Sequence, residues 1–80
     1  MLMAHQVPWN KVVLEAFISE AILTEDEEKI IRTRLAGWSR TKQSIEFGMS
    51  ISTIDKIIST LKRKYDNAQK YSTILPPRKY

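Results

Sequence analysis

One run of apolar residues after Ser50 limits what this chain can fold into more than any other feature. Its members recur at intervals of three and four residues, which places them on one face of an α-helix. The run consists of Ile51, Ile54, Ile58, Leu61, Tyr65 and Ala68. It predicts a helix over about 51–67, capped by Ser50, with one apolar face and one hydrophilic face.

A first helix is predicted over about 9–22, next to Pro8, because proline is favoured in the first turn of a helix. Its apolar residues again recur at helical spacing, and Lys11, Glu15 and Glu20 point elsewhere. The residues expected to face the core are Val12, Val13, Ala16, Phe17 and Ala21.

A second helix is predicted over about 25–36, beginning at a capping box formed by Thr24 and Glu27. The acidic run 25–28 lies in its first turn, where the helix dipole favours negative charge. This interpretation is preferred to a metal site, which would need oxygen ligands from elsewhere in the chain. Gly37 ends the helix, because glycine readily adopts the left-handed conformation. The residues expected to face inward are Ile30, Ile31, Leu35 and Ala36.

A short third helix is predicted over about 40–47, capped by Ser39 and ended by Gly48. Ser44 supplies a small side chain where this helix crosses the next one. The apolar residues expected to fill the space between the two helices are Phe47, Met49, Ile54 and Ile57. A short helix, a glycine turn and a longer basic helix are typical of a helix-turn-helix.

The predicted fold is therefore all-α: a small four-helix domain over residues 1–71 whose last two helices form a helix-turn-helix without a β-hairpin wing. No alternating strand pattern or repeat is present, and the chain of 80 residues contains only two glycines. Pro76 and Pro77 interrupt the C-terminal segment 72–80, which is basic and is expected to be extended or disordered.

Charge is distributed unevenly along the chain. Residues 1–31 hold two lysines against six carboxylates, whereas residues 32–80 hold eleven basic residues against three acidic ones. A net charge of −4 is thus followed by one of +8, and this asymmetry indicates a polyanionic partner, most often nucleic acid. The alternative is a solvated basic face that only maintains solubility.

The sequence argues against several classes of function. The chain has no cysteine, which removes disulfides, thiolate metal sites and thiol nucleophiles and fits a cytoplasmic protein. No apolar stretch is long enough to cross a bilayer, so no membrane association is expected. His5 has no nucleophile or second histidine at a recognisable spacing, and Gly37 and Gly48 do not form a phosphate-binding loop. We expect neither an enzyme nor a cofactor nor a metal.

A further pattern consists of Leu23, Thr24 and Glu27, then Gly37 and Ser39, then Met49, Ser50, Thr53 and Ile54. With these residues the segment 23–65, roughly half of the chain, resembles the DNA-binding domain of LuxR/GerE-type regulators and the related C-terminal domain of bacterial sigma factors. The resemblance implies transcription regulation in a bacterium or a phage, with the helix after Ser50 in the major groove and the preceding helix supporting it. LuxR-type domains have a further helix after the recognition helix. In this chain a segment interrupted by proline follows instead, and the extra helix, about 9–22, precedes the others. This order is closer to that of the sigma-factor domain.

Gln43 departs from that family pattern, because the family normally has an aliphatic core residue at this offset. Two outcomes are expected as alternatives. Either the third helix is placed slightly differently, or Ile45 provides the core contact instead.

If Ile54, Ile58 and Leu61 face the core, the opposite side of the last helix is available to base edges. Lys56 is the leading candidate, because lysine donates to guanine O6 or N7. Asp55 could accept from cytosine N4 or complete a capping box with Ser52. The candidates for reading bases are Ser52, Thr53, Asp55, Lys56 and Ser59, and those for binding phosphate are Arg40, Thr41, Lys42, Ser50, Lys62 and Arg63, with Lys64 adding positive charge.

The predicted function is sequence-specific binding of double-stranded DNA by a transcriptional regulator, which we expect to be a homodimer. The alternatives are an adaptor of the same fold that recruits RNA polymerase or another regulator, or a DNA-transaction component of a phage or mobile element. Trp9 and Trp38 are interpreted as covering the core rather than as base-stacking platforms. The late apolar residues Leu61, Tyr65 and Ala68 would contact a partner chain or the first helix, and Arg78, Lys79 and Tyr80 would be disordered or reach a minor groove.

Overall fold

A computed structural model describes residues 7–77, and within this range the chain forms four α-helices and no β-strand. Helix α1 spans Lys11–Ala21, α2 spans Glu25–Leu35, α3 spans Arg40–Phe47 and α4 spans Ile51–Gln69. The prediction of an all-α fold with four helices is confirmed. Of the helices in residues 7–77, none is long and apolar enough to span a bilayer.

Helix α1 begins two residues later than predicted. The side chain of Asn10 caps it by accepting a hydrogen bond from the amide of Val13 at 2.9 Å, so Pro8 lies outside the helix. Val13 and Phe17 are buried, four residues apart on one face. Val12 was predicted to face the core but is 66% exposed. It precedes Val13 directly, and successive residues of a helix point in different directions, so Val12 lies outside the buried face.

The predicted caps of the other helices are confirmed. Glu27 Oε1 accepts from the Thr24 amide at 3.0 Å and Thr24 Oγ1 accepts from the Glu27 amide at 3.2 Å, which completes the capping box of α2. Gly37 and Gly48 have φ angles of 96° and 64°, the left-handed values that suit glycine after a helix. Ser39 caps α3. One prediction in α2 is wrong, because Ala36 is exposed beyond the last helical residue.

Ser50 caps α4 by accepting from the amide of Thr53 at 3.1 Å. The alternative capping box between Ser52 and Asp55 is wrong, because Ser52 already lies within the first turn of α4. The Ser44 hydroxyl donates to the carbonyl of Met49, which ties α3 to the turn that follows it. The small side chain of Ser44 in α3 therefore stabilises the connection between α3 and α4 through a local hydrogen bond.

Helix α4 supplies the centre of the core and packs on the other three helices. Ile54, Leu61 and Tyr65 are buried along one side, as their spacing predicts, whereas Ile51 at the start of the run is 41% exposed. The buried apolar residues of the described chain are Val7, Val13, Phe17, Ile30, Ile31, Ile54, Leu61, Tyr65 and Leu75. Partly buried apolar residues packed against them include Leu35, Ile57, Ile58 and Ala68.

Three aromatic rings join α1 to the late part of α4. The ring of Tyr65 lies 5.2 Å from that of Phe17 and 5.6 Å from that of Trp9, both with edge-to-face geometry. Among the late apolar residues of α4, Tyr65 therefore contacts the first helix, as one of the two alternatives predicted; contact with a partner chain stays a prediction. Trp9 covers the core, as predicted.

The C-terminal segment differs from the expected extended or disordered chain over residues 72–77. The hydroxyl of Ser72 accepts from the amides of Ile74 and Leu75, forming a turn, and Leu75 is buried at 4% exposure. The Tyr65 hydroxyl donates to the carbonyl of Pro76. The segment folds back because Leu75 brings an apolar side chain to the core. The predictions for His5 and for Arg78, Lys79 and Tyr80 lie outside the described residues.

Gln43 occupies a core position in α3. Its side chain is fully buried, and Nε2 donates to the carbonyl of Ile30 at 3.0 Å and to Thr33 Oγ1 at 2.9 Å. Ile45 is 75% exposed, so the alternative in which Ile45 replaces it is wrong. Gln43 Oε1 is buried, and no donor among residues 7–77 reaches it. Hydrogen bonds to α2 explain how an amide is accepted where an aliphatic residue was expected.

The Gln43→Leu variant is expected to be as stable as the wild type or more stable, by up to about 1 kcal/mol. Leucine has a similar volume and removes a buried acceptor without a partner, whose desolvation costs about 1–3 kcal/mol. Thr33 loses little, because its hydroxyl also donates to the carbonyl of Lys29 at 2.7 Å. Urea unfolding measures the difference. A loss above about 1 kcal/mol would show that the two amide hydrogen bonds outweigh the unpaired acceptor.

Glu27 and Lys64 connect α2 to α4. Lys64 Nζ lies 2.6 Å from Glu27 Oε1, and their side chains are 27% and 9% exposed. Burial disfavours the charged carboxylate, but hydrogen bonds from Lys64 and Thr24 outweigh it and lower the pKa of Glu27 below its ordinary 4.5. The carboxylate thus serves both the helix cap and the contact between helices.

The Glu27→Gln variant is expected to lose about 1–2 kcal/mol of unfolding free energy at neutral pH, because it loses a charge-assisted hydrogen bond. A lowered pKa in the folded state means that the stabilisation is complete above the carboxyl's ordinary pKa and is lost as the pH falls through its folded pKa. The difference from wild type should therefore shrink in acid. Denaturant unfolding between neutral and acidic pH measures it. Glu25→Gln, an exposed charge in the same turn, is the control and should change stability by only a few tenths of a kcal/mol.

Candidate nucleic-acid interface

The hydrophilic face of α4 points away from the core. With Ile54, Leu61 and Tyr65 buried, helical geometry places Ser52, Lys56, Ser59 and Arg63 on the opposite side, and all four are exposed. Part of this face is a shallow concavity. It is lined by Ser52, Asp55, Lys56, Ser59 and Thr60. Four of the five candidates for reading bases are therefore adjacent on one surface.

Lys56 is exposed, and no side chain within residues 7–77 forms a hydrogen bond or ion pair with it. The same holds for Arg63 and for the partly buried Lys62 further along α4. Lys64 differs, because its ammonium is paired with Glu27 and contributes to the packing of α2 on α4. Lys56, Lys62 and Arg63 are thus the cations of α4 that remain available to an anion.

Asp55 is paired with Arg40, a contact that the sequence pattern did not predict. Arg40 Nη1 donates to both carboxylate oxygens, at 2.7 and 2.9 Å. The two residues are 15 positions apart, on α3 and α4, and their side chains are 50% and 49% exposed. A predicted phosphate ligand and a predicted base-reading residue therefore neutralise each other at the surface.

Arg34 is a basic residue near this pair that sequence reasoning missed. It lies in the last turn of α2 and is partly buried. Burial lowers its pKa, the charge of Arg40 acts in the same direction, and Asp55 opposes them. The guanidinium nevertheless remains charged at any physiological pH. Three helices thus bring two arginines and one carboxylate together, with a net positive charge. One sequence feature could have indicated Arg34: it lies two residues before the loop that leads to Ser39, the cap of α3.

Two predicted contact residues take part in the cap of α4. The Ser50 hydroxyl donates to Thr53 Oγ1 at 3.0 Å while it accepts from the Thr53 amide. Both residues are exposed, so their capping role and a contact with a ligand are compatible. Thr41, in the first turn of α3, is exposed and forms no side-chain hydrogen bond with the described part of the chain.

Trp38 and Phe47 stack on each other between two lysines. Their ring centroids are 5.7 Å apart with planes 17° from parallel. Lys42 Nζ lies 4.4 Å from the centroid of the Trp38 ring, and Lys29 Nζ lies 5.1 Å from that of Phe47. The faces of Trp38 are engaged by Phe47 and Lys42, which favours a packing role over base stacking.

Within residues 7–77, no group of three or more histidine, cysteine, aspartate or glutamate side chains is arranged to hold a metal ion. The interface described above therefore consists of cations, hydroxyls and one carboxylate on α3 and α4, with Arg34 from α2. No family model matches this chain, and neither a curated protein nor a solved structure matches it.

Proposed function

We propose that this chain binds double-stranded DNA through the exposed face of α4 and acts as a transcriptional regulator of the helix-turn-helix type. The observation that carries the proposal is a group of three cations on α4, Lys56, Lys62 and Arg63, that have no partner among residues 7–77, on a helix whose core-facing side is buried. Such a helix is rigid and presents a basic hydrophilic surface, which suits the major groove.

The proposed contacts divide into two kinds. Lys56, near the start of α4, would donate to guanine in the groove, and the hydroxyls of Ser52 and Ser59 beside it would bond to base edges or phosphates. Lys62 and Arg63, about one to two turns further along, would contact phosphates. Helix α3 would support α4 and add phosphate contacts from Thr41 and Lys42. This division follows from position along the helix.

Titration of a labelled duplex with the protein at several salt concentrations tests the proposal. The logarithm of the association constant should fall linearly with the logarithm of salt concentration, with a slope of about −0.9 for each phosphate neutralised. The same titration with single-stranded DNA is the comparison. Absence of duplex binding at low salt, or binding that does not depend on salt, would contradict the proposal. Selection from random duplexes would then identify the preferred sequence.

A second candidate is a protein-interaction adaptor of the same fold that recruits RNA polymerase or another regulator. One observation favours it: Ile22 and Tyr71, at the ends of α1 and α4, are 81% and 89% exposed. The main apolar face of α1 is buried against α4, so few apolar side chains remain for assembly. Sedimentation over a concentration series tests the expected homodimer, and a persistent monomer would count against it. A DNA-transaction component of a phage or mobile element would use the same α4 surface.

A further inference from the structure

We propose that Asp55 determines sequence selectivity by weakening the binding of every duplex that does not present an amino group to its carboxylate. The inference rests on the proposed binding of DNA by α4. It concerns a residue that opposes affinity, in contrast to the cations that supply it. The ligand group would be the exocyclic amine of cytosine (N4) or adenine (N6), the donors that bases present in the major groove.

Asp55 lies where a duplex bound to α4 would contact it. Its carboxylate lies on the exposed face of α4, and the residue lines the same concavity as Lys56 and Ser59. A duplex that contacts Lys56 would therefore meet this carboxylate as well. Its charge is repelled by phosphates, so it must either find a donor in the groove or be desolvated without one, which costs free energy.

The ion pair between Asp55 and Arg40 is weak enough for DNA to separate it. Both side chains are half exposed, and exposed ion pairs contribute little free energy, so the pair can separate at low cost. Arg40 uses one nitrogen for both hydrogen bonds, which leaves the other guanidinium donors available to a phosphate. DNA could therefore take Arg40 as a phosphate ligand while the carboxylate turns to a base.

The position and the pairing of Asp55 predict unequal losses of affinity on different duplexes. On a duplex with a suitably placed amine, the carboxylate exchanges Arg40 for a neutral donor and little affinity is lost. On other duplexes the carboxylate loses hydration without gaining a donor in the groove. Asp55 thus lowers affinity for most sequences and preserves it for a few, which is how a repelling group creates specificity.

Comparison of the wild type with Asp55→Ala and Glu46→Ala tests the proposal. Both variants remove one exposed carboxylate, but Glu46 lies on α3 and forms no side-chain hydrogen bond or ion pair with the rest of residues 7–77. Affinity is measured for the duplex selected by the wild type and for a random pool, at one salt concentration. Asp55→Asn provides a second variant that keeps the side-chain size, and circular dichroism verifies the fold of each.

In Asp55→Ala, affinity for the random pool is expected to rise about fivefold, because a nearby negative charge is lost. Affinity for the selected duplex should not rise, so the ratio of the two affinities should fall by about fivefold or more. In Glu46→Ala the ratio should remain unchanged. If Asp55→Ala changed affinity equally for the selected duplex and the random pool, or if both variants had the same ratio of affinities, the role of Asp55 would be overturned. The proposal of DNA binding would be unaffected. Absence of duplex binding by the wild type would overturn both proposals.

Discussion

The Tyr65→Ala variant is expected to lose about 3–5 kcal/mol of unfolding free energy, the usual cost of truncating a buried aromatic residue. Tyr65 is fully buried and contacts the rings of both Trp9 and Phe17. A domain of this size has a total stability of about 4–12 kcal/mol, so much of it would be lost. Thermal and urea unfolding followed by circular dichroism would measure the change.

The Tyr65→Phe variant is the matched control, because it keeps the ring and removes only the hydrogen bond to the Pro76 carbonyl. Burial, with a smaller contribution from Asp66, raises the pKa of Tyr65 to about 12, so the phenol remains a donor at neutral pH. Loss of this hydrogen bond should lower the free energy of unfolding by about 1 kcal/mol. The amides around Leu75 should also exchange hydrogen faster. If phenylalanine proved as damaging as alanine, the C-terminal contact, rather than aromatic packing, would dominate.

The Lys56→Ala variant is expected to weaken binding of the preferred duplex by about 1–3 kcal/mol and to relax sequence preference at one position. The reason is its place on the exposed face of α4, without a competing partner among residues 7–77. Alanine is a good helix former, so α4 should be preserved. Binding titrations on the preferred duplex and on single-base variants would measure both effects.

Lys11→Ala serves as the control for Lys56→Ala. It removes the same charge from the exposed first position of α1, a helix that contributes no residue to the candidate interface. It should weaken all duplexes slightly and equally, through net charge. Equal weakening of all sequences by Lys56→Ala, beyond that of Lys11→Ala, would assign Lys56 to phosphate. If the two variants behaved alike, Lys56 would have no direct contact with DNA.

Predictions from sequence were most accurate where the interaction is local. The capping box of Thr24 and Glu27 and the cap at Ser50 join residues three positions apart, and each was correctly placed. The predictions from sequence were least accurate at the edges of the apolar helix faces. Val12 and Ile51 were placed inside, but one turn of an amphipathic helix is too short for spacing to define the limits of the buried face.

Some features of the candidate interface follow from local spacing, and others depend on how the helices pack. Spacing along α4 correctly placed Lys56 and Ser59 on the exposed face, because the buried positions determine which residues lie opposite. Nothing in the spacing indicated that Asp55 would pair with Arg40, since their approach depends on how α3 and α4 cross. Arg34 was missed for the same reason, because its place beside Arg40 depends on how α2 packs.

The sequence by itself determined where α2, α3 and α4 begin, where glycine turns follow α2 and α3, and which side of α4 is hydrophilic, because caps, glycine turns and helical periodicity act over three or four residues. Only the tertiary structure decided which charges are paired, how Gln43 is accommodated in the core, and that Leu75 returns to it. These contacts join residues far apart in the chain. Their geometry is set by the packing of whole helices, which no local pattern of residues encodes.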